Sequence, residues 1–424
     1  MRVDTDDFAR PCSCGKEHHI DVKEIIIEPG AIEKLEVMLD DGMLREYFLP
    51  VIICDTNTFE ATEEIMENIY DRCETVILDA EGLQADRRSV EVAIQNIDEE
   101  MDLIIAVGTG TIHDICRCIA HEYGVPFVSV PTAASMDGFV SSVATVVWDG
   151  FKKPIPSVSP LCVIADIDII SKAPWRLNAS GAANIMGNYI SLLDWRISQL
   201  VSGEYLCERA CSMEEQAIRI VKSCIRGIPD GDEDDCEDLM KALILSGLAM
   251  QIVGSSRPAC GAEHHMSHLW RMEVVNPHLN VYHGEKVGIA ALICLQKYKQ
   301  IAQAIREGDC HVVEYEGMEN VLLEHTIQNK NQLQKVIEEN TPDPLIGVVP
   351  EHLEKCLPQI ADMIEDLPDV DDLQRLMEKG GCITDARRIG LTDRMIQETI
   401  QVSPYMRNRL TLMRFLKMLE IDRA

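Results

Sequence analysis

The stretch MDLIIAVGTGTIHDICRCIAHEYGVPFVSVPTAASMDGFVS, residues 101–141, decides the fold. Leu103–Val107 is a short, wholly apolar run, as expected of a parallel strand covered on both faces. Gly108, Thr109, Gly110 and Thr111 then turn the chain, and Ile112–His121 reads as a helix. Glycines in such a turn let the backbone approach a ligand with no Cβ in the way. The first N–H groups of the helix point into the turn and favour an anion such as a pyrophosphate. Asp114 falls in the first turn, where a carboxylate can accept N–H bonds or a ribose hydroxyl. A second apolar run, Pro126–Val130, ends at Pro131, and the small polar loop Thr132–Gly138 leaves its carboxyl end. Ligands of open parallel sheets bind just outside the carboxyl ends of the strands. Two neighbouring strand ends therefore offer loops suited to one, although a lone G-x-G turn also arises for steric reasons.

Outward from this stretch the same alternation continues. Val22–Ile27, Pro50–Cys54 and Thr75–Leu78 read as strands, and Ala31–Asp41, Ala61–Arg72 and Val90–Asn96 as helices. Pro50–Cys54 closes on Asp55-Thr56-Asn57-Thr58, another polar loop at a strand end. Val143–Trp148 and Leu161–Ile164 add strands. The pattern is that of a doubly wound α/β domain. From about Ser171 clear strand runs give way to helix-compatible segments, among them Gly181–Ser202, Cys207–Arg226, Cys236–Val253 and Val287–Glu307, with an amphipathic tail at Met406–Ile421. The division expected is an α/β domain over 1–170 and an all-α domain over 171–424. The acidic run PDGDEDDCE, residues 229–237, reads as an exposed helix–helix loop.

The chain has 424 residues and a formal net charge of −32, which argues against nucleic acid or an anionic membrane as a partner. A small phosphorylated substrate remains compatible, because it answers to the local field of a cleft. No run of 18 apolar residues is present, so no membrane insertion is expected. Residues 1–19, MRVDTDDFARPCSCGKEHH, lack the apolar centre of a secretory signal. Sixteen scattered cysteines, several in apolar contexts, suit packing in a reducing cytoplasm rather than a disulfide framework. Cys12-Ser-Cys14-Gly-Lys-Glu-His18-His19 has the composition of half a zinc site, without a second cysteine pair at a matching spacing.

In the helical half, SSRPACGAEHHMSHLWRM, residues 255–272, concentrates histidines. His264 and His268 are four apart and share a helix face, as do His265 and His268 at three apart. Tyr282-His283-Gly284-Glu285-Lys286-Val287-Gly288 places another histidine beside a glycine at a helix start. Neutral imidazoles suit zinc, nickel or iron, and a catalytic site keeps about three protein ligands with one position open. No G-x-S-x-G elbow supports a hydrolase.

Taken in order, VGTGTIHD (107–114), PTAASMDGF (131–139), SRPACGAEHHMSH (256–268) and YHGEKVG (282–288) resemble the sn-glycerol-1-phosphate dehydrogenase family, of the glycerol dehydrogenase, iron-containing alcohol dehydrogenase and dehydroquinate synthase superfamily. The likeness covers roughly residues 20–300. It implies a Rossmann-like N-terminal domain, a helical C-terminal domain that binds metal and substrate, and a site in the cleft between them. The activity implied is reversible reduction of dihydroxyacetone phosphate with NAD or NADP as cofactor. The resemblance places the dinucleotide on Asp55 or Asn57, on the turn Gly108, Gly110, Thr111, Ile112, His113 and Asp114, on Thr132, Ala133, Ala134 and Ser135, and on Ser141. Asp137 would contact the substrate. His264, preferred over His265 for its spacing to His268, would join His283 in holding one divalent metal, zinc or nickel ahead of iron. His268 would touch the substrate hydroxyl in a proton path. Asp55 facing the adenosine ribose would repel a 2′-phosphate and favour NAD.

One departure stands out. The family pattern has an aspartate as third metal ligand and a lysine four residues on, where this chain has Asn184 and Asn188. An amide oxygen ligates a hard cation without charge, so the metal corner is expected to be weak at Asn184, with Glu263, Asp137 or Asp194 as candidate substitute carboxylates. This motivates a second reading, a catalytically silent NAD-binding homologue; a third keeps the enzyme and changes the substrate to glycerol or another small polyol. Arg257 is a candidate for the substrate phosphate, and the helical tail for contacts in a homodimer.

Overall fold

The computed structural model describes residues 11–422 except 99, 149–150 and 273–280. The first ten residues of the segment tested for a secretory signal lie outside the described residues. Two compact units emerge. The first runs to Ala182 and takes up Arg219–Gly254; the second comprises Ala183–Ile218 and the chain from Ser255 onward. The boundary expected near residue 170 did not anticipate this exchange of helices.

The first unit is built on strands β1 (Glu24–Glu28), β2 (Pro50–Asp55), β3 (Glu74–Leu78), β4 (Leu103–Gly108) and β5 (Phe127–Pro131), the hairpin β6 (Val143–Trp148) and β7 (Phe151–Pro156), and β8 (Cys162–Asp166). All but the hairpin form one parallel sheet in the order β1-β8-β5-β4-β2-β3. Between the strands lie α1 (Ala31–Asp41), α2 (Thr56–Thr62), α3 (Glu67–Tyr70), α4 (Arg87–Ile94) and α5 (Gly110–Tyr123). The strand side chains alternate between two cores. Val51, Ile53, Ile104 and Ala106 pack with Val90, Ile112 and Ile115 on one face. Ile52, Cys54, Ile105 and Val107 pack with Ile32, Leu35 and Ile69 on the other. Burial on both faces is why these strands read as continuous apolar runs.

The strand order opens a crevice. From β2 the chain moves to the sheet edge at β3, then returns across β2 to β4 and on to β5. The loops after β2 and β4 thus diverge, and such a switch point leaves room for a ligand at the strands' carboxyl ends.

Beyond β8 come α6 (Ile167–Ile170), α7 (Trp175–Ser202), α8 (Glu208–Cys224), α9 (Glu233–Val253), α10 (Ala262–Arg271) and α11 (His283–Glu307). The acidic run expected to be a loop connects α8 and α9 only as far as Asp232; from Glu233 it is the first turn of α9. Asp232 caps it by accepting the Asp235 N–H, and Glu233, Asp234 and Asp235 sit where the helix dipole favours negative charge. The second unit is helical but not wholly so. The tail expected to be amphipathic helix ends in β10 (Leu419–Ile421), paired antiparallel with β9 (Cys310–Val312). All sixteen cysteines are free thiols. Among the described residues no helix is long and apolar enough to cross a membrane.

Candidate active site

The glycine turn expected to take the dinucleotide follows β4, where the strand order reverses. Thr109 precedes α5, whose first residue is Gly110. The glycines here serve close approach rather than left-handed backbone. A Cβ on Gly110 would lie 2.6 Å from the Met136 sulfur, and one on Gly108 would lie 2.7 Å from the Ile112 side chain. Thr132 donates its N–H to the Gly108 carbonyl, holding the loop after β5 beside the turn. At the end of β2, Asp55 is largely buried and accepts the Thr58 N–H at 2.9 Å, so the loop expected at 55–58 is the capped start of α2. Thr58 Oγ also reaches the Val107 carbonyl at 3.2 Å, tying the two strand ends together. Asn57 is exposed beside it.

Two residues of the turn have their side chains engaged by the protein. His113 is fully buried, with Nδ1 2.9 Å from the Thr109 carbonyl and Nε2 2.7 Å from Ser129 Oγ. A carbonyl only accepts, so Nδ1 carries the proton and Nε2 accepts from Ser129. Burial, then the nearby Arg117 cation, pushes its pKa down to about 3. His113 can therefore meet a ligand only through its backbone. Asp114 pairs with buried Arg117 at 2.9 Å, and Arg117 also donates to the Gly138 and Phe139 carbonyls. Asp114 thereby fixes the loop that carries Asp137. Ser141 bonds Val143 locally through its hydroxyl. Ala133 and Ala134 are buried, with the Ala134 N–H held by Asn178.

Asp137 rests against α9 in the first unit. A Cβ on Gly247 would lie 2.6 Å from the Asp137 carbonyl, and Ser246 Oγ donates to the Asp137 carboxylate at 3.3 Å. That helix segment is within the region expected to belong to the second domain.

The second unit gathers the imidazoles. The ring centroid of His264 lies 5.2 Å from that of His283 and 6.3 Å from that of His268. His264 Nδ1 is 2.7 Å from Glu263 Oε1, which also accepts the Gly261 N–H. This carboxylate holds the His264 proton on Nδ1 and leaves Nε2 unprotonated, the arrangement seen in metal-bound histidines. His265 differs: it is fully buried, and neither ring nitrogen has a hydrogen-bond partner among the described residues. His283 opens α11, where Arg271 reaches its Nδ1 at 3.0 Å. An arginine only donates, so this contact puts the His283 proton on Nε2. Burial, then Arg407 and Arg271, holds His268 well below the usual histidine pKa.

Asn184 and Asn188 are fully buried on α7. The same stretch of α7 packs on the imidazole-bearing helices: a Cβ on Gly187 would lie 2.6 Å from Val287 and 3.4 Å from Glu263. Asn188 donates to Glu214 at 2.6 Å, so a buried carboxylate faces the position where the family pattern has lysine. Of the substitute carboxylates, Asp194 already accepts from Tyr298, Leu412 and Ala262 at 2.8–2.9 Å. Glu263 stands behind His264 on the Nδ1 side. Neither adds a charge at Nε2. Two imidazoles and an amide oxygen suit a weakly held divalent cation once Arg271 leaves His283, because with Nδ1 facing the arginine and the proton on Nε2 that ring offers no lone pair.

A family model of iron-containing alcohol dehydrogenases matches residues 26–174. The glycerol-1-phosphate dehydrogenase [NAD(P)+] of Halalkalibacterium halodurans is 30% identical over 417 residues, covering 96% of this chain and 95% of that protein. The chain belongs to the glycerol-1-phosphate dehydrogenase family. A protein of the same name from Bacillus velezensis is 36% identical over 291 residues, 67% of this chain and 73% of that protein. Among solved structures, an archaeal Red Sea brine pool alcohol dehydrogenase matches with a TM-score of 0.62 at 16% identity, covering 95% of this chain and 97% of that one, a likeness of fold alone. As a member of the glycerol-1-phosphate dehydrogenase family the chain is an oxidoreductase, with the Rossmann-like and helical parts that the sequence led one to expect.

Sequence reasoning passed over two cations and misread a third. Arg271 and Lys286 flank His283, and Lys286 is pushed down to about 7 by burial and then by Arg271. Arg271 carries no motif signal, whereas Lys286 stands in YHGEKVG as a cation in the first turn of a helix. Arg257, expected to suit a substrate phosphate, is buried and engaged by Glu204 at 2.9 Å and by the Asp194 and Leu410 carbonyls.

Proposed function

We propose that this chain interconverts dihydroxyacetone phosphate and sn-glycerol 1-phosphate with NAD(H) or NADP(H). The observation that carries the reading is the imidazole cluster of His264, His268 and His283 in a chain of this family that also keeps the glycine turn after β4. The free N–H groups at the start of α5 bind the dinucleotide pyrophosphate, and Asp55 faces the adenosine ribose. A reduced nicotinamide, when bound, would supply the hydride that the C2 carbonyl carbon accepts as its π pair moves to oxygen. The oxygen takes a proton relayed through His268, whose ring is kept neutral by burial and the neighbouring Arg407 and Arg271 cations. Asp137 orients the substrate, and Arg271 supplies positive charge for its phosphate. A divalent cation on His264, His283 and the Asn184 oxygen supplies Lewis acidity towards the carbonyl oxygen when bound.

A second reading, favoured by Asn184, Asn188 and the Arg271–His283 contact, is a homologue that binds the dinucleotide without turnover. Oxidation of NADH or NADPH by dihydroxyacetone phosphate, with and without added zinc or nickel, separates them, alongside reduction of NAD+ or NADP+ by sn-glycerol 1-phosphate and by glycerol. The first reading expects oxidation that depends on the phosphorylated ketone and rises with metal. No oxidation by a protein that still binds the reduced cofactor overturns it in favour of the second. Equal or better turnover of glycerol would reassign the substrate to an unphosphorylated polyol.

A further inference from the structure

Far along the chain from the residues assigned to the reaction, the N-terminal segment builds a second set of metal donors. Cys12 Sγ, Cys14 Sγ and a ring nitrogen of His18 all lie within 4.8 Å of one another. Two thiolates and an imidazole around a tetrahedral zinc, with bonds of about 2.3 Å and 2.0 Å, stand roughly 3.5–4 Å apart, so the spread is that of a ligand shell. Local backbone explains the convergence. Gly15 donates its N–H to the Cys12 carbonyl at 3.1 Å and has φ 80, a left-handed conformation that favours glycine. The turn brings Cys14 back over Cys12, and Cys14 Sγ lies 3.3 Å from His18 Nε2.

The imidazole is held from behind. His18 is 4% exposed, and its Nδ1 lies 2.5 Å from the Ile252 carbonyl, in the last turn of α9. A carbonyl only accepts, so Nδ1 carries the proton and the Nε2 lone pair points at the sulfurs. A backbone carbonyl fixing the tautomer from the far ring nitrogen is the outer-shell support that metal-bound histidines have. His19, the other histidine of the segment, is exposed. The three donors need not be conformationally recruited by the ion.

We propose that Cys12, Cys14 and His18 bind zinc, and that the ion clamps the N-terminal segment to the end of α9. The role is structural: it closes a link between residues far apart in sequence, inside the first unit, without touching the reacting atoms. The fourth position of the shell is left to water or to another donor.

Cobalt(II) titration of the metal-stripped full-length protein under reducing, oxygen-free conditions tests this, because thiolate-to-cobalt charge transfer gives an absorption band that an imidazole and amide site cannot. The wild-type chain should show the band at one cobalt per chain, and zinc should bleach it. The band should vanish in Cys12→Ser/Cys14→Ser and persist in His264→Ala/His283→Ala. His18→Ala should keep a thiolate band with zinc bound about tenfold to a hundredfold more weakly. As a check that does not depend on the serine variant folding, zinc should raise the wild-type melting temperature more than it raises that of His18→Ala. Absence of the band in the wild type, or its survival in the double serine variant, overturns the proposal.

Discussion

Glu263 Oε1 and His264 Nδ1 stand 2.7 Å apart, and the same oxygen also accepts the Gly261 N–H at 2.8 Å. The ionised carboxylate can only accept, so it holds the proton on Nδ1 and raises the basicity of Nε2. Glu263→Gln keeps the shape and removes the charge. Zinc or nickel affinity at His264 should fall about tenfold, as read by calorimetric titration of a protein carrying Cys12→Ser/Cys14→Ser. An unchanged affinity would reduce Glu263 to a packing role.

Asn184→Asp restores a charge beside the imidazoles. Carboxylate–cation attraction at an effective dielectric of about 20 amounts to several kcal/mol at contact, so metal affinity should rise by at least about tenfold and turnover with it. If position 184 does not face the ion, the substitution instead buries an unpaired charge, and the melting temperature falls with no gain in metal. Asn188→Lys should be tolerated far better than an ordinary buried lysine, because Glu214 is already in place to pair with it.

His113→Asn tests the inward-facing histidine of the dinucleotide turn. The variant leaves Ser129 without its acceptor and should cost about 1–3 kcal/mol at neutral pH. The wild-type histidine has a folded pKa near 3, below its ordinary 6.5. Its depressed pKa contributes stability above pH 6.5 that is lost as pH falls towards 3, because the unfolded state binds the proton first. The deficit of the variant should therefore shrink by about 1.4 kcal/mol per pH unit in that window. Urea unfolding of both proteins at neutral and mildly acidic pH measures it; a deficit independent of pH would contradict the buried neutral ring.

Gly110→Ala places a methyl group 2.6 Å from the Met136 sulfur. Met136 can swing away, so the fold should survive at a cost of about 1–3 kcal/mol. NADH affinity, followed by fluorescence titration, should fall, and Met136→Ala should restore stability without restoring affinity. Recovery of both would mean that Gly110 serves packing alone.

The parts of this fold that read directly from sequence are those where one local pattern dictates the environment. Leu103–Val107 is apolar throughout because both faces of β4 are covered by packed cores. His264 and His268 share a helix face by spacing alone. Other features depended on partners far away in the chain. The acidic residues Glu233–Asp235 look like a solvated loop until Asp232 is seen to cap a helix whose dipole they complement. Leu419–Ile421 becomes a strand only because Cys310–Val312 offers an edge more than a hundred residues earlier. Arg257 looks available for a phosphate, but its guanidinium is spent on Glu204 and on carbonyls as distant as Leu410. His113 sits in the turn motif, yet its ring is claimed by Ser129 on β5, which spacing within the motif does not reveal.

The central proposal is that this chain moves hydride between a reduced nicotinamide and the C2 carbon of a triose phosphate. Mass spectrometry of the product from NADH carrying deuterium in the transferable C4 position, dihydroxyacetone phosphate and nickel- or zinc-loaded protein tests it most directly. The account predicts glycerol 1-phosphate of the sn-1 configuration with one deuterium at C2, formed by the wild type and lost in His264→Ala. A wild-type protein that binds the labelled cofactor and yields no deuterated glycerol phosphate would contradict it.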